Sequence, residues 1–153
     1  MMTASDDRRL SLKRRCMGPR AVSIETLLRR AEVAVQNVVR DFSAHATGRL
    51  DDLRQLAQAA LAAPHDAKTW TALHTGLRDL QTSSGMAGAT WIARFTGALQ
   101  GEMARRETTD PHLPQLVALH LDAVRVAASG TAGEAALADL DAKLTRAAQA
   151  LQN

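Results

Sequence analysis

Along most of the chain, apolar side chains recur at steps of three and four residues, the spacing that places them on one face of an α-helix. Pro64, the turn-rich segment 108–111 and Gly130 interrupt this spacing, as helix-stopping features do. The successive apolar stripes are Leu27, Leu28, Val35, Val38, Val39 and Phe42; Leu50, Leu53, Ala57, Ala60 and Leu61; Trp70, Leu73, Leu77, Leu80 and Ser84; Ile92, Phe95, Leu99 and Met103; Leu116, His120, Val124 and Ala127; and Leu137, Leu140, Leu144 and Leu151. The pattern predicts helices throughout the chain and no strands.

Polar residues mark where several of these helices begin. Ser23 is placed to cap the first helix, with Glu25 in its first turn, and Asp66 is placed to cap the helix that carries Trp70. Gly48 either ends the first helix or only loosens it. Short connections between amphipathic helices favour antiparallel neighbours, so we expect an all-α, antiparallel up-down helical bundle.

Composition supports a single helical domain. At 153 residues the chain is long enough to bury one core, and its apolar content comes largely from Ala and Leu. It has no Tyr and only four aromatic residues, so residues that favour strands are scarce. We expect residues 22–153 to form the bundle and residues 1–21 to form a basic leader.

The positive charge is concentrated in that leader. Residues 1–20 carry six basic and two acidic side chains, a net charge of +4, while the remaining 133 residues carry a net charge of −1. The near-neutral remainder argues against nucleic-acid binding. We interpret the leader as disordered; the alternative is an acidic partner such as an anionic membrane surface.

The compartment is predicted from two features. Cys16 is the sole cysteine and cannot form an internal disulfide, which favours a reducing cytoplasm. No stretch approaches the roughly 20 apolar residues that a transmembrane helix needs. We therefore expect a cytoplasmic protein without a transmembrane segment.

Segment 78–88 resembles the signature of histidine phosphotransfer (HPt) domains. That signature is His-x-(Leu/Ile)-Lys-Gly, followed by small residues and by a second glycine six positions after the first. Here Arg78, Gln81 and Thr82 replace the histidine, the lysine and the first glycine. The residues that match in place are Leu80, Ser83, Ser84 and Gly88. The resemblance extends over roughly residues 24–150 and implies a degenerate member that lacks the phosphorylatable histidine.

The resemblance implies a fold and a function. The fold is a four-helix bundle with an additional N-terminal helix, and the function is docking to a response-regulator receiver or a histidine kinase in a phosphorelay. Phosphotransfer through position 78 is not expected, because a guanidinium stays protonated and has no nucleophilic nitrogen. We expect a monomer without cofactor, metal or enzymatic activity. The docking residues would be His74, Arg78, Gln81, Thr82 and Gly85, with Ser84 and Gly88 serving close helix packing.

Several alternatives stay open. Arg78 is either a docking group or a surface residue that pairs with Asp79 or Glu102 or is simply solvated. His74, one turn before Arg78, is an alternative phosphoacceptor that would keep carrier chemistry. A purely structural helical interaction module is a further alternative.

Other candidate chemistry is weaker. Ser83 and Ser84 could act as nucleophiles but fit close packing better. His120 falls on an apolar stripe and is expected to be a half-buried core histidine. The other histidines, His45, His65 and His112, show no metal-ligand spacing.

Overall fold

Five helices account for most of the chain in the computed structural model, which describes residues 22–152. They are α1 (Ile24–Ala62), α2 (Ala67–Met86), α3 (Thr90–Arg105), α4 (Leu113–Ser129) and α5 (Glu134–Ala150). The described residues contain no strand, so the predicted all-α helical bundle is confirmed. The antiparallel order of the helices stays a prediction, and the predicted leader lies outside the described residues.

Helix α1 is a single helix of 39 residues that passes through Gly48 without a break. Nothing lies within 4 Å of the place where a Cβ would stand at Gly48. One glycine inside a helix costs only about 1 kcal/mol, and the apolar steps on both sides of it continue the helical spacing. The stripe that includes Leu28 and the stripe that includes Leu50 therefore belong to one helix.

The described residues divide into two units, residues 22–37 and residues from Val38 onward. In the first unit, the Thr26 amide donates to Ser23 Oγ at 3.1 Å, so Ser23 caps the helix as predicted. Glu25 pairs with Arg29 one turn later at 3.5 Å. The apolar side chains of this unit are exposed, Ile24 at 77% and Leu28 at 60%.

The second unit contains the hydrophobic core. All five helices supply residues to it, including α1 from Ala46 onward. The predicted stripe of α2 is buried at every position. Most stripe residues of α4 and α5 are also buried, and the half-buried ones are Ala127, Leu140 and Leu151. The largest fully buried side chains are Phe95, Leu50, Leu73, Leu77, Leu80, Ile92, Leu99, Leu113, Leu116 and Val117.

Side-chain and backbone caps explain where the helices of the second unit begin and end. Asp66 accepts from the Lys68 amide at 2.9 Å and caps α2, as predicted. The Trp70 indole donates to Pro64 O at 3.1 Å, which fastens the preceding turn to the same helix. Gly130 ends α4 in the left-handed region with φ of 68°, a conformation that glycine adopts without steric cost.

Polar contacts at the bundle surface connect the helices in pairs. The Trp91 indole on α3 donates to Glu134 at the start of α5 at 2.9 Å. Arg94 lies over the Trp91 ring and donates to Asp141 of α5 at 2.7 Å. Through Asp141, Arg94 therefore holds α3 against α5. On another side of the bundle, Arg54 of α1 pairs with Asp122 of α4 at 2.6 Å.

Candidate docking face on helix α2

Helix α2 has one buried side and one exposed side. The apolar stripe from Trp70 to Ser84 faces the core. Arg78, Thr82, Gly85 and Met86 are all exposed, and their spacing of four, seven and eight residues places them on one side of the helix. We call these four residues the Arg78 face. Of the predicted docking residues, the structure brings Arg78, Thr82 and Gly85 together on it.

Arg78 is exposed and has no ion pair or side-chain hydrogen bond among residues 22–152. Pairing with Glu102 is one of the alternatives for Arg78, but that carboxylate instead binds Arg105 and Arg106. Asp79, the other predicted partner, likewise makes no ion pair within the described part of the chain. The interpretation of Arg78 as half of a surface salt bridge is therefore wrong, and a docking group and a solvated surface residue are the two interpretations that remain.

Gln81 is half-buried and belongs to the contact between α2 and α3. Its Oε1 accepts from the Gln100 amide at 2.8 Å. A Cβ added at Gly97 would lie 2.6 Å from Gln81 Nε2, so the amide rests directly on the α3 backbone. The predicted docking role of Gln81 is thus limited, because its Oε1 already accepts a hydrogen bond within the bundle and the amide packs against α3.

Met86 extends the Arg78 face and was missed by reasoning from the sequence. It is the last residue of α2, and it is 86% exposed, the highest value among the large apolar side chains of residues 22–152. The signal was available, because Met86 falls off the stripe that ends at Ser84. At the neighbouring Gly85, nothing lies within 4 Å of the place where a Cβ would stand, so the face is open there.

The two serines of the segment turn their hydroxyls back onto the helix. Ser83 Oγ donates to Asp79 O at 2.7 Å, and the fully buried Ser84 Oγ donates to Leu80 O at 2.5 Å. Neither hydroxyl has a histidine or carboxylate partner among the described residues. Their geometry fits small helical packing residues and offers no activated nucleophile.

Gly88 has a conformational role. Its φ of 77° lies in the left-handed region, and nothing lies within 4 Å of a Cβ built on it. The prediction that Gly88 serves close helix packing is therefore wrong. It is needed instead to turn the chain from α2 into α3, where the Ala89 amide donates back to Ser84 O at 2.8 Å.

His74, the alternative phosphoacceptor, lies one turn before Arg78 and is partly exposed. It borders a shallow groove of about 450 Å³ whose other lining residues include His65, Thr71 and Thr108. Its ring makes no hydrogen bond with any of the described residues. The ring is therefore accessible at the edge of the Arg78 face and is not held in one orientation.

His120 lies in the core, more deeply than predicted, with only 2% of its surface exposed. Its Nδ1 lies 2.8 Å from Leu116 O, which fits a neutral ring with the proton on Nδ1. Burial lowers the pKa of His120, although the Leu116 carbonyl and the nearby Glu102 and Asp141 carboxylates favour the charged form. His120 therefore acts as a core residue.

A buried ionic cluster at the end of α3 was not foreseen. Arg106 donates to Glu102 at 3.3 Å and to Asp110 at 2.8 Å, and also to the carbonyls of Ala148 and Leu151 at 3.1 Å. Hydrogen bonding to Asp110 raises the pKa of Arg106. The spacing of four residues signals each pair in the sequence, but the burial of the cluster is a tertiary property. Across residues 22–152, no three His, Cys, Asp or Glu side chains are grouped to hold a metal ion.

Comparison of the chain with protein-family models, with curated proteins and with solved structures gives no match. The resemblance to HPt domains therefore rests on segment 78–88 and on the helices around it.

Proposed function

We propose that this protein is an HPt-like docking partner of a response-regulator receiver or a histidine kinase, without phosphotransfer at the usual position. One observation carries the proposal. Arg78 occupies the position at which the HPt signature has its phosphorylated histidine, and it is exposed with no ion-pair partner among residues 22–152. An exposed side chain at that position remains available for intermolecular contact.

The chemistry of Arg78 suits an acidic partner. Its guanidinium presents five N–H donors in a planar fork that matches carboxylates, and charge-assisted hydrogen bonds of this kind are about twice as strong as neutral ones. A receiver's phosphorylation site is built from carboxylates, so a guanidinium could enter it in place of a phosphohistidine. Such docking would block or protect the site without moving a phosphoryl group.

The surroundings of Arg78 fit a docking role. Thr82 and Gly85 leave the same side of α2 open, and Met86 adds an exposed, flexible apolar side chain at its end. Gln81 is held by Gln100 and contributes no charge, so Arg78 is the cation of this face. We infer that Arg78 supplies the polar anchor and Met86 an apolar contact beside it.

Direct binding tests this proposal. The full-length protein is titrated with receiver domains and kinase bundles from its own genome, and the dissociation constants of the wild type and of Arg78→Ala are compared. Loss of one charge-assisted contact predicts binding at least about tenfold weaker. Arg49→Ala is the matched control, because Arg49 is also exposed and has no ion-pair partner among the described residues. Equal effects of the two variants, or no binding to any receiver or kinase, would refute the proposal.

A second function is favoured by the accessibility of His74. A phosphoacceptor histidine must be exposed, and His74 is partly exposed beside the Arg78 face with its ring free of hydrogen bonds to residues 22–152. Arg78 one turn away would supply a cation near the phosphoryl oxygens. In this case the protein would remain a phosphate carrier with a shifted acceptor.

A further inference from the structure

The first unit presents an apolar helical face that is open in the structure. On a helix with 3.6 residues per turn, Ile24, Leu27, Leu28 and Val35 fall within an arc of about 100°. All four are more than half exposed, between 52% and 77%. Val33 is also exposed, at 49%, but it lies on the opposite side of the helix. We call the four residues on the shared arc the Leu28 face.

The charges on and before this unit point to the chemistry of what covers the Leu28 face. Within residues 22–37 the charged side chains balance, with Arg29 and Arg30 against Glu25 and Glu32. The positive charge comes from the preceding sequence, where residues 8–20 contain six Lys and Arg residues. An apolar helical face that directly follows a polybasic stretch combines the two features that attract proteins to anionic lipid surfaces.

We propose that the Leu28 face docks on an anionic lipid bilayer, with its apolar side chains inserted at the interface. The attachment is peripheral. None of the helices that the structure describes is long and apolar enough to cross a membrane. This inference does not depend on the docking function of the Arg78 face.

A second copy of the chain fits the Leu28 face less well. The helical part of the first unit, residues 24–37, spans about 21 Å, and a stable protein interface typically uses 20–30 residues and about 800 Å² per partner. Parallel pairing of two such helices would also bring together two leaders of charge +4. A lipid surface covers a short apolar face without either difficulty.

Vesicle binding by the full-length protein tests the proposal. Co-sedimentation is measured with phosphatidylglycerol–phosphatidylcholine vesicles and with vesicles of phosphatidylcholine alone. We expect binding to the anionic vesicles that weakens as salt is raised, and much weaker binding to the neutral ones. Val35→Glu should reduce binding to the anionic vesicles at least tenfold, because it places a charge on the inserted face. Replacing Lys13, Arg14 and Arg15 by Gln should also reduce it.

Val33→Glu is the matched control, since it makes the same change at an exposed valine on the opposite side and should alter vesicle binding less than twofold. Circular dichroism confirms that both variants keep their helices. Equal losses in the two variants, or no binding to anionic vesicles, would overturn the proposal. So would a lipid-free dimer by light scattering that Val35→Glu converts to monomer, because the Leu28 face would then bind a second copy.

Discussion

At the scale of single residues, two adjacent arginines contact the same carboxylate and differ in burial. Arg105 and Arg106 both bind Glu102, but the Arg106 side chain is 7% exposed and the Arg105 side chain is 61% exposed. Arg106 also binds Asp110 and two carbonyls near the end of α5. The buried arginine therefore joins the end of α3 to the end of α5, and the exposed one adds little.

This difference in burial predicts that removing the two arginine side chains lowers the free energy of unfolding by unequal amounts. Arg106→Ala leaves the carbonyls of Ala148 and Leu151 without this donor, removes the ion pair to Asp110 and leaves Glu102 paired with the exposed Arg105 alone, so it should lower the free energy of unfolding by about 3 kcal/mol. Arg105→Ala should lower it by less than about 1 kcal/mol, as is usual for an exposed pair. Urea unfolding at pH 7 measures both. Similar losses in the two variants would contradict the stabilising role given to Arg106.

A second prediction concerns His120 and pH. Because burial lowers the pKa of His120 in the folded protein, the unfolded chain takes up a proton near pH 6.5 that the folded chain does not. The free energy of unfolding should therefore fall as the pH drops below about 6.5, by up to about 1.4 kcal/mol per pH unit. Urea unfolding between pH 7.5 and pH 5 measures this dependence.

His120→Leu is the control for this dependence, because it removes the titrating ring from the core. The variant should lose little stability between pH 7.5 and pH 5. Asp110 affects stability in a lower pH range, because the His112 amide and Arg106 lower the pKa of its carboxyl. Its contribution to the free energy of unfolding is therefore present above about pH 4 and is lost in stronger acid. If the stabilities of the wild type and of His120→Leu depend on pH in the same way, the assignment of this dependence to His120 is contradicted.

At the scale of helices, two glycines in helix interiors differ in the space around them. Nothing lies within 4 Å of a Cβ at Gly48, whereas a Cβ at Gly76 would lie 2.8 Å from Leu53 Cδ2 in the core. Gly48→Ala should raise the free energy of unfolding by about 0.5–1 kcal/mol, through helix propensity alone. Gly76→Ala should lower it by about 1 kcal/mol, because overpacking outweighs that gain. Thermal unfolding of the two variants distinguishes these outcomes, and a gain at both positions would contradict the close approach of α1 and α2.

The helices show what the sequence can and cannot predict. The α2 stripe from Trp70 to Ser84 was predictable because burial follows the helical period, and Asp66 was predictable because a cap is a local interaction. Whether Gly48 ends a helix was not predictable from the sequence, because one glycine costs less free energy than the packing of the flanking helical residues contributes. The positive φ of Gly88 and the contact of Gln81 with the backbone at Gly97 depend on how α2 packs against α3, which no local pattern encodes.

The candidate site was predictable only in part, for the same reason. The motif located Arg78, Thr82 and Gly85, and helical spacing is enough to place them on one side of α2. It could not show that Gln81 is engaged by Gln100 or that Arg78 lacks a partner among the described residues. Those facts depend on where α3 presents its own side chains.

At the scale of the whole molecule, the two proposed functions lie on separate units. The Arg78 face, proposed to bind a signalling partner, lies in the bundle from Val38 onward, and the Leu28 face, proposed to bind a lipid surface, lies in residues 22–37. The wide separation of their residues in the sequence makes the two tasks testable independently. Val35→Glu should leave receiver binding unchanged, and Arg78→Ala should leave vesicle binding unchanged.

Phosphotransfer profiling distinguishes docking without phosphate transfer from phosphate transfer through this protein. The protein is incubated with labelled phospho-receivers and phospho-kinases from its host, and the label on each protein is followed over time. For docking without transfer we expect no label on this protein and slower loss of label from the partner that it binds, an effect that Arg78→Ala removes. Acid-labile label on this protein that His74→Gln abolishes would contradict docking without transfer and would show that the chain carries phosphate on His74.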